Sequence, residues 1–373
     1  MGETILLVGE SFSDQNLYYK TRFLAGDPFI FMEQNGRGTL VVSALELGRA
    51  RREATVDDIR SFQDYGHREL VQELGDRNRA FVEMLRRIVR DSNADRLEVD
   101  RTFPAMYADA LRDHGVEIAI NPDFLRRERR QKSRDEIEYL AESQKSAEQA
   151  AAHAIGIVER SDIRDGILAY EGEPLTSERL RREVEVFLLD QGMSSAHEPI
   201  LAGGPGAADG HWLGTGPLKA GESIVMDIFP HSLRTRYWGD ITRTVVKGEP
   251  PEILRRMYDA VLRAQQAALA EIRAGANGRD VHQAVLDTFE ATGFGENGAG
   301  PTMNHGTGHG VGLDIHEAPG LGAVDEQLLP GDVITVEPGL YDPAVGGVRI
   351  EDMVVVTDAG YRNLTTLEKR FEV

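Results

Sequence analysis

Cysteine is absent from all 373 residues, which excludes disulfides and thiolate metal sites together. Its absence fits a reducing compartment. Positive charge is in deficit: 42 Lys and Arg stand against 62 Asp and Glu, a formal net charge of −20. That balance argues against nucleic-acid or anionic-membrane partners, which favour clustered positive charge. No apolar run approaches the eighteen or so residues of a membrane span. The opening, Met1 to Ser11, has neither the basic region nor the long apolar core of a secretory leader, so a cytoplasmic protein is expected. Hydrophobic content of 41% with 28% charged residues is ordinary for a globular chain, and the length suggests two domains.

What is present in excess is a duplicated, acid-bearing segment. Gly221-Glu-Ser-Ile-Val-Met-Asp227 is echoed by Gly331-Asp-Val-Ile-Thr-Val-Glu337, with the acid six residues after the glycine in both. Each copy leads through a loop into a second acid-bearing stretch, read as one strand: Trp238 to Val246 with Asp240, and Val348 to Val356 with Glu351. Between the copies lies His305-Gly-Thr-Gly-His309-Gly-Val-Gly-Leu-Asp-Ile-His316-Glu, the richest histidine cluster in the chain.

The surrounding pattern repeats as well. Residues 1–122 read as a small α/β domain, with strands at Ile5–Val8, Phe29–Met32, Leu40–Val42 and Val116–Ile120 and a helix between Asp76 and Asp91 carrying Phe81, Leu85 and Ile88. Residues 123–134 open on the break Asn121-Pro122-Asp123 and run on as basic and polar, without an apolar stripe; they read as an exposed linker, with a phosphate-binding patch as the minority alternative. From Asp135 to the end, helical periodicity appears at Asp135–Val158, after the candidate N-cap Thr176, at Glu252–Ala274 and at Asp280–Thr292, with stops at Gly192, Gly275 and Gly293. Two helices then a hairpin, twice, imply a pseudo-symmetric domain whose four acids converge.

Asp227, Asp240, Glu337 and Glu351 supply hard oxygen donors and the histidine cluster a nitrogen donor. Such a set suits Mn²⁺, Co²⁺, Fe²⁺ or Zn²⁺. Four carboxylates carry about −4, and one divalent cation would leave uncompensated buried charge. Two are therefore expected, and a dinuclear site suits amide hydrolysis. His305 and His316 read either as structural histidines or as proton donors or carbonyl clamps. The glycines at 306, 308, 310 and 312 do not fit a G-x-G-x-x-G phosphate loop, since position 311 is valine; they are expected to let the backbone approach the metals. Of Thr242 and Thr244, at most one hydroxyl is expected to support the site. His211 lies on a glycine-rich loop ahead of the first hairpin.

Met226-Asp-Ile, Gly239-Asp-Ile-Thr-Arg-Thr244, His305 to Pro319, Val336-Glu-Pro-Gly-Leu-Tyr341 and Val348-Arg-Ile-Glu-Asp352 together resemble the Xaa-Pro peptidases, aminopeptidase P and prolidase. The motifs span the C-terminal 240 or so residues in the family's order. Asp14-Gln-Asn-Leu-Tyr-Tyr19 is similar to that group's smaller N-terminal domain. The resemblance implies an α+β fold: a pita-bread (creatinase/aminopeptidase) catalytic domain after a smaller N-terminal α/β domain. It implies Asp227, Asp240, His309, Glu337 and Glu351 as ligands of two divalent metal ions, Mn²⁺ foremost, with Asp240 and Glu351 bridging. His316 would face the scissile carbonyl, His305 would line the site, Arg349 would brace Glu351, Glu337 would shuttle a proton, and His211 would close over the substrate. A peptide with proline second is the implied substrate and a homodimer the implied assembly. Two departures stand out. The Asp227–Asp240 spacing of thirteen is two longer than the family's usual one, which need not move the ends of the hairpin. And no Lys or Arg lies between Ala318 and Gly331, which tilts toward an aminopeptidase over a dipeptidase. Alternatives are a creatinase-like or lyase relative and a non-catalytic binding protein on the same fold; both typically lose ligands that this chain keeps.

Overall fold

The computed structural model describes residues 4–295 and 300–373, which form two compact units, one ending at Arg127 and the other beginning at Glu128. In the first, a six-stranded mixed sheet runs in the order Asp58–Ser61, Arg37–Val42, Phe29–Gln34, Thr4–Gly9, Arg96–Asp100, Glu117–Asn121. Its central strands are continuous apolar runs because both faces are covered. Leu6, Val8, Ile30, Met32 and Val41 point to the side of helix Arg77–Ser92. The alternate residues Leu7, Phe29, Phe31, Leu40 and Val42 meet Leu17 and Ala50 of two short helices on the other. Asp58–Ser61 and Arg96–Asp100 carried no strand signal, since Asp-Ile-Arg-Ser and Arg-Leu-Glu-Val-Asp are mostly polar; pairing with apolar neighbours makes them strands.

The second unit contains the repeat. Helices Arg134–Arg160 and Ser177–Asp190 pack on the sheet Ile200–Gly203, Ile224–Ile228, Ile241–Val245 through Ala147, Ala151, Leu180, Val184, Met226 and Ile241. Helices Glu252–Glu271 and Gly278–Ala291 pack in the same way on Val333–Val336 and Asp352–Thr357 through Met257, Val261, Val285, Ile334 and Val354. The Thr176 hydroxyl accepts from the Arg179 amide, the expected N-cap, and Gly192 and Gly293 take positive φ just past their helices. The halves are joined by a buried cation: Arg243 donates to Asp352 Oδ1 at 3.0 Å, to the Glu351 carbonyl at 2.6 Å and to the Leu367 carbonyl at 2.7 Å. No helix among the described residues is long and apolar enough to cross a membrane.

Two expectations need correction. The stretch Val348–Val356 is two strands: Gly346–Arg349 pairs with Gly339–Asp342, and Asp352–Thr357 pairs with Val333–Val336. Ile350 and Glu351 fall at the switch between partners, where the Glu351 amide donates instead to the Thr242 carbonyl at 3.0 Å. The segment 123–134 is no exposed linker. It contains the helix Arg126–Arg130, and Arg130 and Lys132 are buried. Arg130 makes a bidentate pair with Asp332, at 3.0 and 2.7 Å, and reaches Glu326 at 2.9 Å. The buried cations of the segment pair with anions, while its two apolar residues, Phe124 and Leu125, lie in the hydrophobic cluster of the first unit.

Helix Arg134–Arg160 also holds the first hairpin from below. The Gln144 amide donates to the Asp240 carbonyl at 2.9 Å and to Thr365 Oγ1 at 2.8 Å, and its Oε1 accepts from the Asp240 amide at 2.7 Å. A Cβ on Gly239 would lie 2.5 Å from the Ser143 carbonyl oxygen, so only glycine permits this approach. Gln144→Met keeps the volume but strands three buried polar partners. It should lower stability by about 3 kcal/mol, read as a fall in urea midpoint at unchanged slope.

Candidate metal centre

The four acids arrive at one place because each sits at or beside the end of a strand. Asp227 lies within Ile224–Ile228 and pairs across to Thr242; Asp240 immediately precedes Ile241–Val245. Glu337 immediately follows Val333–Val336, and Glu351 immediately precedes Asp352–Thr357. The longer loop after Asp227 leaves this register continuous through Ile228↔Ile241; its extra length pairs His231 and Ser232 with Met193 and Ser194. His309 occupies the middle of Gly308–Gly310. The glycines around it serve strand packing rather than approach to a metal: a Cβ at 308 would lie 2.1 Å from the Thr335 carbonyl oxygen, and one at 310 would lie 2.3 Å from that of Ala318.

Donor atoms of Asp240, His309 and Glu351 fall within 4.8 Å of one another. His309 Nε2 lies 3.6 Å from Asp240 Oδ2 and 3.4 Å from Glu337 Oε1. Its Nδ1–H donates to the Gly310 carbonyl at 3.1 Å, which fixes the tautomer and leaves the Nε2 lone pair facing the acids. Asp227 is turned onto Arg349, whose Nη2 donates to its Oδ2 at 2.5 Å. Arg349 thus braces Asp227 directly and meets Glu351 only through Thr242: Nε donates to Thr242 Oγ1 at 3.1 Å, and that hydroxyl donates to Glu351 Oε2 at 2.9 Å. Residues two apart on a strand share a face, and Thr244 joins in against the expectation of a single supporting hydroxyl, exchanging hydrogen bonds with the Arg349 backbone at 2.8 and 3.0 Å.

His305 belongs to the support as well. Its Nδ1–H donates to the Gly306 carbonyl at 2.7 Å, so Nε2 accepts from the Tyr341 hydroxyl at 2.8 Å, and that oxygen accepts from Arg349 Nη1 at 3.1 Å. His316 is exposed on the open side, its ring edge-on to that of His309 with centroids 4.2 Å apart. His211 is exposed on its loop, near enough for its charge to act on both His305 and His316. His197 acts on His316 in the same way. Neither His197 nor Gln144 nor Tyr341 stood out in the sequence as a site residue: a lone loop histidine, a helix glutamine and a strand tyrosine carry no spacing signal.

Burial and mutual repulsion show in the protonation of the acids. Asp240 is pushed well above the carboxylate range, by desolvation and then by Glu351, Asp227 and Glu337. Glu351 is raised likewise, by desolvation, Glu337 and Asp227. Glu337 is raised to about 7, mainly by desolvation, with Arg349 opposing. His309 is lowered to about 3, by desolvation and the neighbouring His316. Carboxylates crowded in this way can ionise together only around cations, and a neutral imidazole among them is a ligand in waiting. The 3.4 and 3.6 Å separations at His309 Nε2 match the roughly 3–3.6 Å between two ligand atoms that each sit about 2.1 Å from one ion. The residues fit divalent metal.

Residues 138–358 match the metallopeptidase family M24. The chain belongs to that family. Among curated relatives, an uncharacterised peptidase of Bacillus subtilis is 34% identical over 237 residues, covering 63% of this chain and 62% of its own length. A Xaa-Pro dipeptidase of Pyrococcus horikoshii is 36% identical over 225 residues, 58% of this chain and 62% of that one. These matches thus span less than two thirds of the relatives. Among solved structures, a Xaa-Pro dipeptidase from Bacillus anthracis superposes with a TM-score of 0.83 at 26% identity, covering 100% of this chain and 95% of the other. An X-Pro aminopeptidase from Thermotoga maritima superposes at 0.82 and 24% identity, with 100% and 98% covered, which shows the fold alone. The fold of this M24 chain is the pita-bread fold of the Xaa-Pro peptidases, with α and β segments mixed as the motifs implied.

A pH dependence follows. Acids whose folded-state pKa is raised stabilise the fold below their unfolded pKa and lose that contribution as pH rises through the folded value. The depressed histidines act oppositely, but only below their ordinary 6.5. Above pH 6.5 the acids act alone. The melting temperature of chelator-stripped protein should therefore fall between pH 6.5 and 8.5, and a saturating divalent metal should flatten the fall. Glu337→Gln should shrink the fall in stripped protein; an identical slope in that variant would contradict the assignment.

Proposed function

We propose that this chain is a dinuclear metal-dependent peptidase that hydrolyses the bond between an N-terminal residue and proline. The observation that carries the reading is the convergence of Asp240, His309 and Glu351 within 4.8 Å, with Glu337 on His309 and Asp227 on Arg349. Asp227, Asp240, His309, Glu337 and Glu351 would hold two divalent ions, with Asp240 and Glu351 serving both, Mn²⁺ by preference and Co²⁺, Fe²⁺ or Zn²⁺ as substitutes. Such cations would supply Lewis acidity and lower the pKa of a bound water toward neutrality.

The protein's own groups then divide the work. Glu337 Oε1, beside the Thr335 hydroxyl at 3.3 Å, takes up and returns the proton. His316, on the open side, donates toward the carbonyl oxygen of the scissile bond. Arg349 holds Asp227 and, through Tyr341, His305, so that both keep their orientation without moving. His211, on its exposed loop, closes over the residue after the cleaved bond. The dipeptidase name of the Pyrococcus relative supports proline specificity. The missing basic residue between Ala318 and Gly331 favours peptides longer than two residues. A cytoplasmic homodimer is the setting assigned.

Hydrolysis of Xaa-Pro dipeptides beside Xaa-Pro-Yaa tripeptides, after metal reconstitution, tests this. Cleavage after the first residue is expected, faster for the tripeptides. No cleavage of either by protein with metal confirmed by elemental analysis would remove the assignment. Asp240→Ala should lower bound metal and cut kcat by at least about 100-fold; full metal content in that variant would contradict a shared ligand.

A further inference from the structure

The basic segment ahead of helix Arg134–Arg160 grips the loop that carries His316. Arg129 Nη2 donates to Asp314 Oδ2 and to Glu317 Oε2, each at 2.6 Å. Lys132 Nζ donates to Glu317 Oε1 at 2.5 Å, and its side chain is 1% exposed. His316 thus lies between two carboxylates that share one guanidinium. Glu317 is held below the usual carboxylate range despite its burial, because Lys132 and Arg129 outweigh desolvation. It is not a spare base.

The other end of the loop is fixed from the first hairpin. The Trp238 amide donates to the Gly312 carbonyl at 3.1 Å and its indole N–H to the Leu313 carbonyl at 2.9 Å. A Cβ on Gly312 would sit 2.4 Å from Glu317 Oε1, so the carboxylate folds back under the start of its own loop. His316 itself is exposed. Its place depends on what holds residues 312–317.

We propose that Arg129 and Lys132 are positioning residues that set His316 through Asp314 and Glu317. The inference rests on the reading of His316 as the residue that meets the substrate carbonyl. A buried carboxylate that loses one of two cations keeps an unpaired oxygen, and the chain around it relaxes. A shift of about 1 Å in a positioned group can cost about 100-fold in rate.

The test uses the metal-loaded full chain with Lys132→Met, Lys132→Arg and, should the first fail to fold, Arg129→Gln. Lys132→Met is expected to retain its metal, to lose about tenfold or more in kcat with KM within about twofold, and to recover most of the loss as Lys132→Arg. In a His316→Ala background it should cost nothing further; losses that multiply would overturn the proposal, since residues acting through one another are non-additive. A second readout needs no activity. In histidine-labelled protein loaded with diamagnetic Zn²⁺, the His316 ring signal, assigned by its disappearance in His316→Ala, should shift in Lys132→Met while that of His282 does not. An unmoved His316 signal overturns the clamp, whereas a moved signal in a protein that cleaves no Xaa-Pro peptide removes only the peptidase reading.

Discussion

Repulsion among buried carboxylates is the constraint around which the second unit is organised. Asp240, Glu337 and Glu351 resist ionisation where they sit, and no arrangement of apolar packing alone would hold them together. What holds them is a shell of directed hydrogen bonds. Gln144 fixes the backbone of Asp240, Thr242 the side chain of Glu351, Thr335 the side chain of Glu337, and Arg349 that of Asp227. Each of these comes from an element buried by its own hydrophobic face, so the rigidity of two helix-and-sheet halves is passed to four side chains. Preorganisation of this kind is what a metal site requires, because ligands left free would collapse onto other partners or protonate.

The second consequence is a division between open and closed sides. Arg349, Tyr341 and His305 form one hydrogen-bonded chain beside the acids, while His316 and His211 are exposed. On the function proposed, substrate would approach from the side of the exposed imidazoles. The basic segment Arg129–Lys132 extends the same logic outward, from the ligands to the loop that presents His316.

Much of this was legible in the sequence where a residue's role is tied to spacing. The repeat of glycine and acid at 221/227 and 331/337 located the central strands and the convergence of the acids, because strand period and turn chemistry are local properties. The helix faces were legible for the same reason. Long-range polar pairing was not. Nothing about Gln144 distinguishes it from other helix glutamines, and a run such as Arg-Arg-Glu-Arg-Arg looks solvated until Asp332 and Glu317 are found beneath it. The break at Ile350–Glu351 was hidden because Val348–Val356 is β-prone throughout, and only its two different partners divide it. Thr242 and Thr244 both support the site because residues two apart on a strand lie on one face.

Arg243 carries a consequence for how the two halves can vary. Its guanidinium is supplied by the first half, while Asp352 and the Glu351 and Leu367 carbonyls that satisfy it belong to the second. A half expressed alone would bury a cation without its anion or expose the apolar face around it. The two halves therefore share one buried ion pair, and a change at Arg243 or Asp352 strands its partner in the other half.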